Sequence, residues 1–382
     1  MHAVTEFHSM DELANARLTW KHLWEKTRGA SYFQSYDWLR SYLRFYGEGL
    51  KLKVLLVTIA AKPIGLIPLV VRNVRTQLGS AAVLTFPLGE WGSFYGQVGP
   101  NPAATWQGAM PHVLGSKRDW QVVELPGNDD SGPEGTRVSA ALKTGGLQVA
   151  QTSQIRHPIV DLTEDWDHFL SERSPRCRMQ LAQAEHAVQR YGAVSFHRWR
   201  PDGLKSGQTD RRWDLLAAVD ALKRKSDHSA SRAEIELAFL RDAHSSAVDL
   251  GVADICTLTV GGRPIAAAYS YATNGLVEPV LFVTDPEIGE AAIQLLHCMM
   301  IRDSFLRRDR RIVFRAEHAT NAETWANSSV IATTYGHYAW LSPQAQMLRL
   351  KQRKAKVVGG MLSVPMSGSA DTNSTLRLYA GT

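Results

Sequence analysis

The chain has 382 residues, of which 44% are hydrophobic and 21% charged, with a net charge of +6. That length is long for one core and suits two domains, and the composition excludes a disordered or fibrous chain. The cysteines Cys177, Cys256 and Cys298 stand far apart with no CxxC pair, which argues against a disulfide scaffold or a cysteine-based zinc site and leads us to expect a reducing cytoplasm.

Residues 1–16 carry His2, Glu6, His8, Asp11 and Glu12 and lack the basic-then-apolar order of a signal peptide. Residues 11–26 read as a helix from the spacing of Leu13, Leu18, Leu23 and Trp24. A second helix starts at Ser35-Tyr36-Asp37, where Ser and Asp cap free N–H groups, and stops at Gly47. The apolar stretch 54–71 is broken by Lys62, Pro63 and Pro68. It falls short of the roughly 20 uninterrupted apolar residues of a membrane span and reads as a β-hairpin. A strand-and-loop region over 83–98, a helix over 103–114, a strand over 120–125 and a loop over 128–136 complete a first domain, with a boundary expected near residue 155.

The second domain, 156–345, begins with helices over 166–173 and 175–191, the latter basic and stopped by Gly192, then a strand over 194–199 and a polar loop over 201–210. Helices over 214–225 and 233–250 precede a hairpin over 255–271, turned at Gly261-Gly262. A strand over 278–283, a helix over 293–306, a strand over 311–315, a helix over 322–327 and a strand over 331–340 follow. Residues 346–382 read as a tail, basic from Arg349 to Lys356 and then rich in Gly, Ser and Thr, expected to be mobile.

Two segments repeat. LLVTIAAKPIGLIPL (55–69) and TLTVGGRPIAAAYSY (257–271) are each a strand, a small-residue turn with a cation and Pro-Ile, and a returning strand. The order of elements that follows matches as well, so duplication of an α/β unit accounts for both halves. Two mixed sheets related by a pseudo-two-fold are expected, with Pro63 equivalent to Pro264.

The segments FQSYDWLRSYLRFYG, LKVLLVTIAAKPIGLIPLVVR, SPRCRMQLAQAEHAVQRYGAVSF and FLRDAHSSAVDLGVADICTLTVGGRPIAAAYSY, in that order, resemble the GNAT-type proteins associated with cellulose and exopolysaccharide biosynthesis, which are related to FemAB-like transferases. The resemblance covers residues 30–340. It implies an α/β fold of two tandem GNAT-like acyl-CoA acyltransferase domains, the second catalytic and the first not. The donor, acetyl-CoA or another acyl-CoA, is then expected along Leu281, Phe282 and Val283, with its pyrophosphate at the helix start formed by Gly289, Ile293 and Gln294. The sequence departs from the family in two places. Glu290 stands where a phosphate would lie, and Ala322 occupies the position, three before Trp325, where the family often has lysine.

Direct transfer needs a base. Glu317 and His318, just after the 311–315 strand, and Tyr335, on the last strand with His337 nearby, are the candidate catalytic residues; a solvated loop pair and strand packing are the competing readings. Arg176, Arg178 and Lys225 are candidates for holding an anionic acceptor, against a reading as solvated helix charge. Cys298, among Leu295, Leu296, Met299 and Met300, reads as core rather than nucleophile. HExxH and GxSxG are absent, so metalloprotease and serine-hydrolase chemistry are not indicated, and no metal site stands out. Basic surface favours an anionic partner, but no nucleic-acid-binding motif is present. The expected activity is acyl transfer to a sugar, nucleotide sugar or glycan precursor; FemAB-like aminoacyl transfer and ligand binding by a degenerate fold are the alternatives.

Overall fold

The structure, a computed structural model, describes residues 2–89, 91–115, 118–129, 133–201, 210–226, 230–316 and 322–357. The two hairpins are β2 (Lys51–Ile59) with β3 (Lys62–Thr76), and β8 (Ala253–Val260) with β9 (Arg263–Thr273). They are the same device twice. In the first, the register shifts between Val57 and Thr58 and then pairs Thr58 with Pro63; in the second, it shifts between Leu258 and Thr259 and then pairs Thr259 with Pro264. Pro63 and Pro264 therefore occupy equivalent ladder positions, with Ile64 and Ile265 as the extra residue of each bulge.

Both turns need two residues at positive φ, as the tight hairpin turn demands. Gly261 and Gly262 supply φ of 55° and 81°; Ala60 and Ala61 are held at 47° and 60°. A left-handed L-residue costs roughly 1–2 kcal/mol, and glycine's extra chain entropy offsets about half of that. Replacing Ala60 or Ala61 by Gly is expected to stabilise the protein by about 0.5–1 kcal/mol per position, read as a rise in urea midpoint. An unchanged or lower midpoint would show the turn to be unstrained.

The remaining strands are β1 (His2–Phe7), β4 (Gly79–Thr85), β5 (Val122–Asp129), β6 (Ala150–Asp161), β7 (Val194–Trp199), β10 (Leu276–Thr284), β11 (Arg311–Val313) and β12 (Ser328–Tyr338). They form one sheet in the order β1-β2-β3-β4-β5-β12-β6-β11-β10-β9-β8-β7, not two. Exchanging β1–β6 for β7–β12 turns that order into its own reverse, and the pairing senses match, including parallel β4–β5 and β10–β11. The halves thus share one topology, as duplication requires. The single sheet arises because the sixth strands are exchanged. β6 pairs with β11, β12 pairs with β5, and the two pair with each other over most of their length. The exchange leaves both β5 and β11 paired, so neither is a bare edge. Residue 155, the boundary expected from the sequence, lies inside β6.

Helices cover both faces. The first half carries α1 (Met10–Ala14), α2 (Arg17–Glu25), α3 (Tyr36–Tyr46), α4 (Pro102–Gly115) and α5 (Pro133–Thr144). The second carries α6 (Trp166–Ser171), α7 (Pro175–Gln189), α8 (Trp213–Ser226), α9 (Ala230–Asp249) and α10 (Glu290–Leu306), and α11 (Pro343–Val357) closes the described chain. Ser35 and Ser174 accept from Trp38 N and Cys177 N at 3.0 and 3.1 Å, fixing the starts of α3 and α7. β8 and β9 are buried on both faces, between the core under α7 and α10 and the core under α8 and α9.

Several expectations need correcting. A first strand, β1, precedes α1. Of the loop expected over 128–136, residues 128–129 end β5, residues 133–136 begin α5 and residues 130–132 lie outside the described residues; the helix expected over 322–327 is mostly turn. The start of the expected tail, from residue 346, belongs to α11, which packs on the sheet through Ala345 and Leu348 against Val83, Val122 and Tyr338. The polar loop over 201–210, apart from its ends, and the tail over 358–382 lie outside the described residues.

Candidate functional site

The two halves meet through residues 31–34, a single 3₁₀ turn ahead of α3. Ser31 and Gln34 form a reciprocal capping box, and Trp20 and Trp24 donate their indole N–H groups to the carbonyls of Gln34 and Ser31 at 2.9 and 2.8 Å. The turn so fixed points into the second half. The Tyr32 hydroxyl donates to the Ala243 carbonyl at 3.0 Å and lies 2.7 Å from Ser246 Oγ on α9. Its ring lies 4.4 Å from that of Tyr271 on β9. Phe33, Trp38, Trp91 and Phe239 close an aromatic cluster around it.

Within this junction the Ser31 hydroxyl donates to Glu278 Oε2 at 2.5 Å. Glu278 stands opposite Tyr271 in the ladder and is 4% exposed. Burial raises its pKa to about 7, against the opposing effects of the Ser31 hydrogen bond and the Arg311 charge. A carboxyl group poised near neutrality can take and return a proton. It was not among the residues singled out from the sequence. Its signal was there, a lone acid inside the apolar strand LVEPVLFVT.

Glu278 also marks where the sheet opens. β10 and β11 pair only at Leu276–Arg311 and Val277–Ile312 and then part. On its other side β10 shifts register between Pro279 and Leu281. Arg315 reaches back across the opening, donating to the Val280 carbonyl at 3.3 Å. Phe282 stacks at 6.1 Å on Phe314 and meets His297 of α10 edge-on at 4.4 Å. The strand exchange brings β6 beside β11, and with it His157, whose Nδ1 lies 3.3 Å from the Phe314 carbonyl. Burial lowers the His157 pKa to about 4, so the ring is neutral.

Leu281, Phe282 and Val283 lie on β10, and Gly289, Ile293 and Gln294 begin α10, so the expected donor residues form one continuous strand–turn–helix. Asp285 organises the turn. Its carboxylate accepts from Glu287 N at 3.2 Å, and Gly289 N donates to its carbonyl at 2.9 Å. Burial opposes its charge, but the Glu287 N–H, Lys225 at 3.3 Å and Arg263 at 3.6 Å hold its pKa below the usual carboxylate value. Gly289 has φ +60°, and a Cβ there would find only the Pro286 carbonyl, at 3.7 Å. No side chain caps the helix start. Glu290 lies along the helix, where its Oε1 accepts from Gln294 Nε2 at 3.1 Å.

The other expected residues are dispersed. Lys225 anchors the Asp285 turn. Arg178 donates to the carbonyls of Ser171 and Arg173 at 2.9 and 2.8 Å, capping the end of α6. Arg176 is exposed on α7. Tyr335 is buried opposite Leu125 of the first half, because β12 crosses to β5. Glu317 and His318 lie outside the described residues. Cys298 is buried, and burial raises its pKa to about 12, as a core thiol requires. Ala322 is fully buried in the core that includes Trp325, a position where a lysine would have to bury its ammonium.

A family model covers the half that contains this strand–turn–helix. Residues 175–320 match the acetyltransferase (GNAT) domain. The solved structure of FemX is similar over 91% of this chain and 100% of its own, with a TM-score of 0.59 at 8% identity. The C-terminal domain of a putative lysylphosphatidylglycerol synthetase from Agrobacterium fabrum is similar over 91% and 97%, with a TM-score of 0.50 at 11% identity. A conserved protein of unknown function from Bacteroides thetaiotaomicron is similar over 88% and 100%, with a TM-score of 0.51 at 10% identity. At such identities the likeness is one of fold, and it agrees with the duplicated topology. No curated protein sequence matches the chain.

Proposed function

We propose that the protein is an acyl-CoA-dependent N- or O-acyltransferase whose second half, residues 156–345, carries the donor, with the first half as a non-catalytic partner. The observation that carries this reading is Glu278, a buried carboxyl poised near neutrality where β10 and β11 part, inside the half that matches the GNAT domain. The residues fit the donor. Free N–H groups at the start of α10 suit its pyrophosphate, Gly289 leaves room for it, and Glu290 is engaged by Gln294. Bound acyl-CoA supplies a thioester, an acyl group activated toward amines and alcohols. Glu278 takes the proton from the acceptor nitrogen or oxygen as the new bond to the acyl carbon forms. The carbon–sulfur bond breaks, and the thiolate leaves to be protonated. Ser31 holds the carboxylate oriented and must yield that position to the acceptor. Glu317, His318 and Tyr335 remain candidates for returning the proton, and Arg176, Arg178 and Lys225 for holding an anionic acceptor.

The acceptor we favour is a sugar, nucleotide sugar or glycan precursor, as the resemblance to exopolysaccharide-associated proteins suggests. Acceptor-dependent release of free thiol from acetyl-CoA tests the reading; no release with any amino sugar or sugar alcohol would count against it. Glu290→Gln is expected to tighten acetyl-CoA by several-fold, and Gln294→Glu to weaken it by a similar factor, since charges this near a phosphate lie within the Debye length of about 8 Å. Isothermal calorimetry checks both, and two variants indistinguishable from wild type would move the pyrophosphate away from α10.

FemAB-like aminoacyl transfer from charged tRNA is the second reading. The fold shared with a structure named for lysylphosphatidylglycerol synthetase favours it. The buried Ala322 speaks against the lysine-dependent version of that chemistry.

A further inference from the structure

The turn between β12 and α11 exposes two large apolar side chains in succession. Trp340 is 81% and Leu341 91% exposed. They do not hang from a loose end. Ala339 N donates to the Gln121 carbonyl at 2.8 Å on one side, and on the other Ser342 Oγ accepts from Ala345 N at 3.2 Å, capping α11. Leu78, at the tip of the β3–β4 hairpin, is 52% exposed and joined to the same turn by Gln344 Nε2, which donates to its carbonyl at 3.2 Å. Leu350 projects from α11 at 56% exposure, on the side away from buried Ala345 and packed Leu348.

The sequence that follows these side chains is basic. Residues 339–357 contain five cations, Arg349, Lys351, Arg353, Lys354 and Lys356, and no Asp or Glu. The adjoining hairpin adds exposed Arg75, while Arg72 is paired with Glu124 at 2.9 Å. α11 is tied down at Gln352, which accepts from the Tyr338 hydroxyl and donates through Nε2 to Glu124 at 3.1 Å. The basic run is therefore part of a helix laid on the sheet, with Lys351 exposed and Arg349 half-buried on it.

We propose that this face docks on an anionic lipid bilayer, with Trp340, Leu341 and Leu78 entering the headgroup–acyl boundary and the cations of α11 meeting acidic headgroups. Charge complementarity selects the occupant. A nucleic-acid partner would use the cations and leave an exposed Trp-Leu pair without a role, whereas an interface of lipid headgroups over acyl chains suits both. No helix among the described residues is long and apolar enough to cross a membrane, so the contact is peripheral.

The test is sedimentation of the full chain with large vesicles of phosphatidylglycerol and phosphatidylcholine, against phosphatidylcholine alone, at low and high salt. The wild type is expected to bind the mixed vesicles at least tenfold more tightly than the neutral ones, and to lose most of that binding in high salt. Both Trp340→Ser with Leu341→Ser and Arg349→Glu with Lys351→Glu are expected to weaken binding at least tenfold. Unchanged circular dichroism would show that each variant still folds. Several results would overturn the proposal. One is no preference for anionic vesicles. A second is loss of binding only on charge reversal, which would make α11 a general polyanion surface. A third is a dimer that dissociates in the Ser variant while vesicle binding persists, which would assign the face to a second copy of the chain.

Discussion

Glu278→Gln is expected to lower acyl transfer about 100-fold or more at pH 8, since a positioned base contributes roughly 10²–10⁴-fold, with acetyl-CoA affinity nearly unchanged. In the wild type, transfer should rise with pH through the pKa of about 7 and level off above it; the variant should lose that limb. Stability supplies an independent reading. The folded carboxyl holds its proton from the ordinary value of 4.5 up to about 7, whereas the unfolded one releases it near the lower value. The Glu278 contribution to folding free energy is thus greatest below pH 4.5 and falls as pH rises to about 7, by roughly 3 kcal/mol. Gln cannot ionise, so the variant should lose this decline and keep only the opposite slope that His157 gives over much of the same window. A variant with wild-type turnover and pH profile would remove Glu278 from the chemistry even if the stability change appeared.

A comparably large effect, on folding rather than activity, is expected at Arg198 and Asp254. Arg198 is 1% and Asp254 0% exposed by side chain, and the two meet at 2.6 Å. Arg198 also donates to the Met300 carbonyl and Ser304 Oγ near the end of α10, at 3.0 and 2.7 Å. Arg200 and Asp309 extend the network. Removing one partner leaves a buried charge uncompensated, so Arg198→Met should cost about 3–5 kcal/mol. The acid side follows from the same pair. Burial works against the Asp254 charge, but Arg198 and Arg200 outweigh it and hold the pKa at about 2. That stabilisation is present above 3.8 and is lost as pH falls through about 2, worth roughly 2 kcal/mol. His157 acts earlier. Its folded pKa of about 4 lies below the ordinary 6.5, so stability falls as pH drops between those values. Chemical denaturation from pH 7 to 2 would follow both losses, and a variant melting like wild type would show that the buried network is dispensable.

The legible part of the fold was what repeats locally. The Pro-Ile bulge after a two-residue turn occurs twice, and both hairpins and the order of elements behind them follow from it. The exchange of β6 and β12 was not legible, because it is a long-range pairing that no local pattern encodes. It explains why Tyr335, on the right kind of strand, sits beside β5, and why His157 arrives beside β11 unannounced. β1 was hidden because HAVTEF is a short edge strand with mixed polarity. α5 was hidden because Gly, Asp, Ser and Pro before residue 136 read as loop, although Pro133 is a normal helix start. In the site, the strand, turn and helix that the resemblance implies for the donor were legible as elements. Glu278 showed in the sequence only as a lone acid in an apolar strand; its poise depends on burial and on Ser31 of the other half.

Calorimetric titration of acetyl-CoA into the full chain tests the central claim most directly. The account predicts one acetyl-CoA per chain, weakened by Gln294→Glu, with the donor confined to the second half. No binding at millimolar acetyl-CoA would contradict it and leave the protein a GNAT fold that transfers or binds something else.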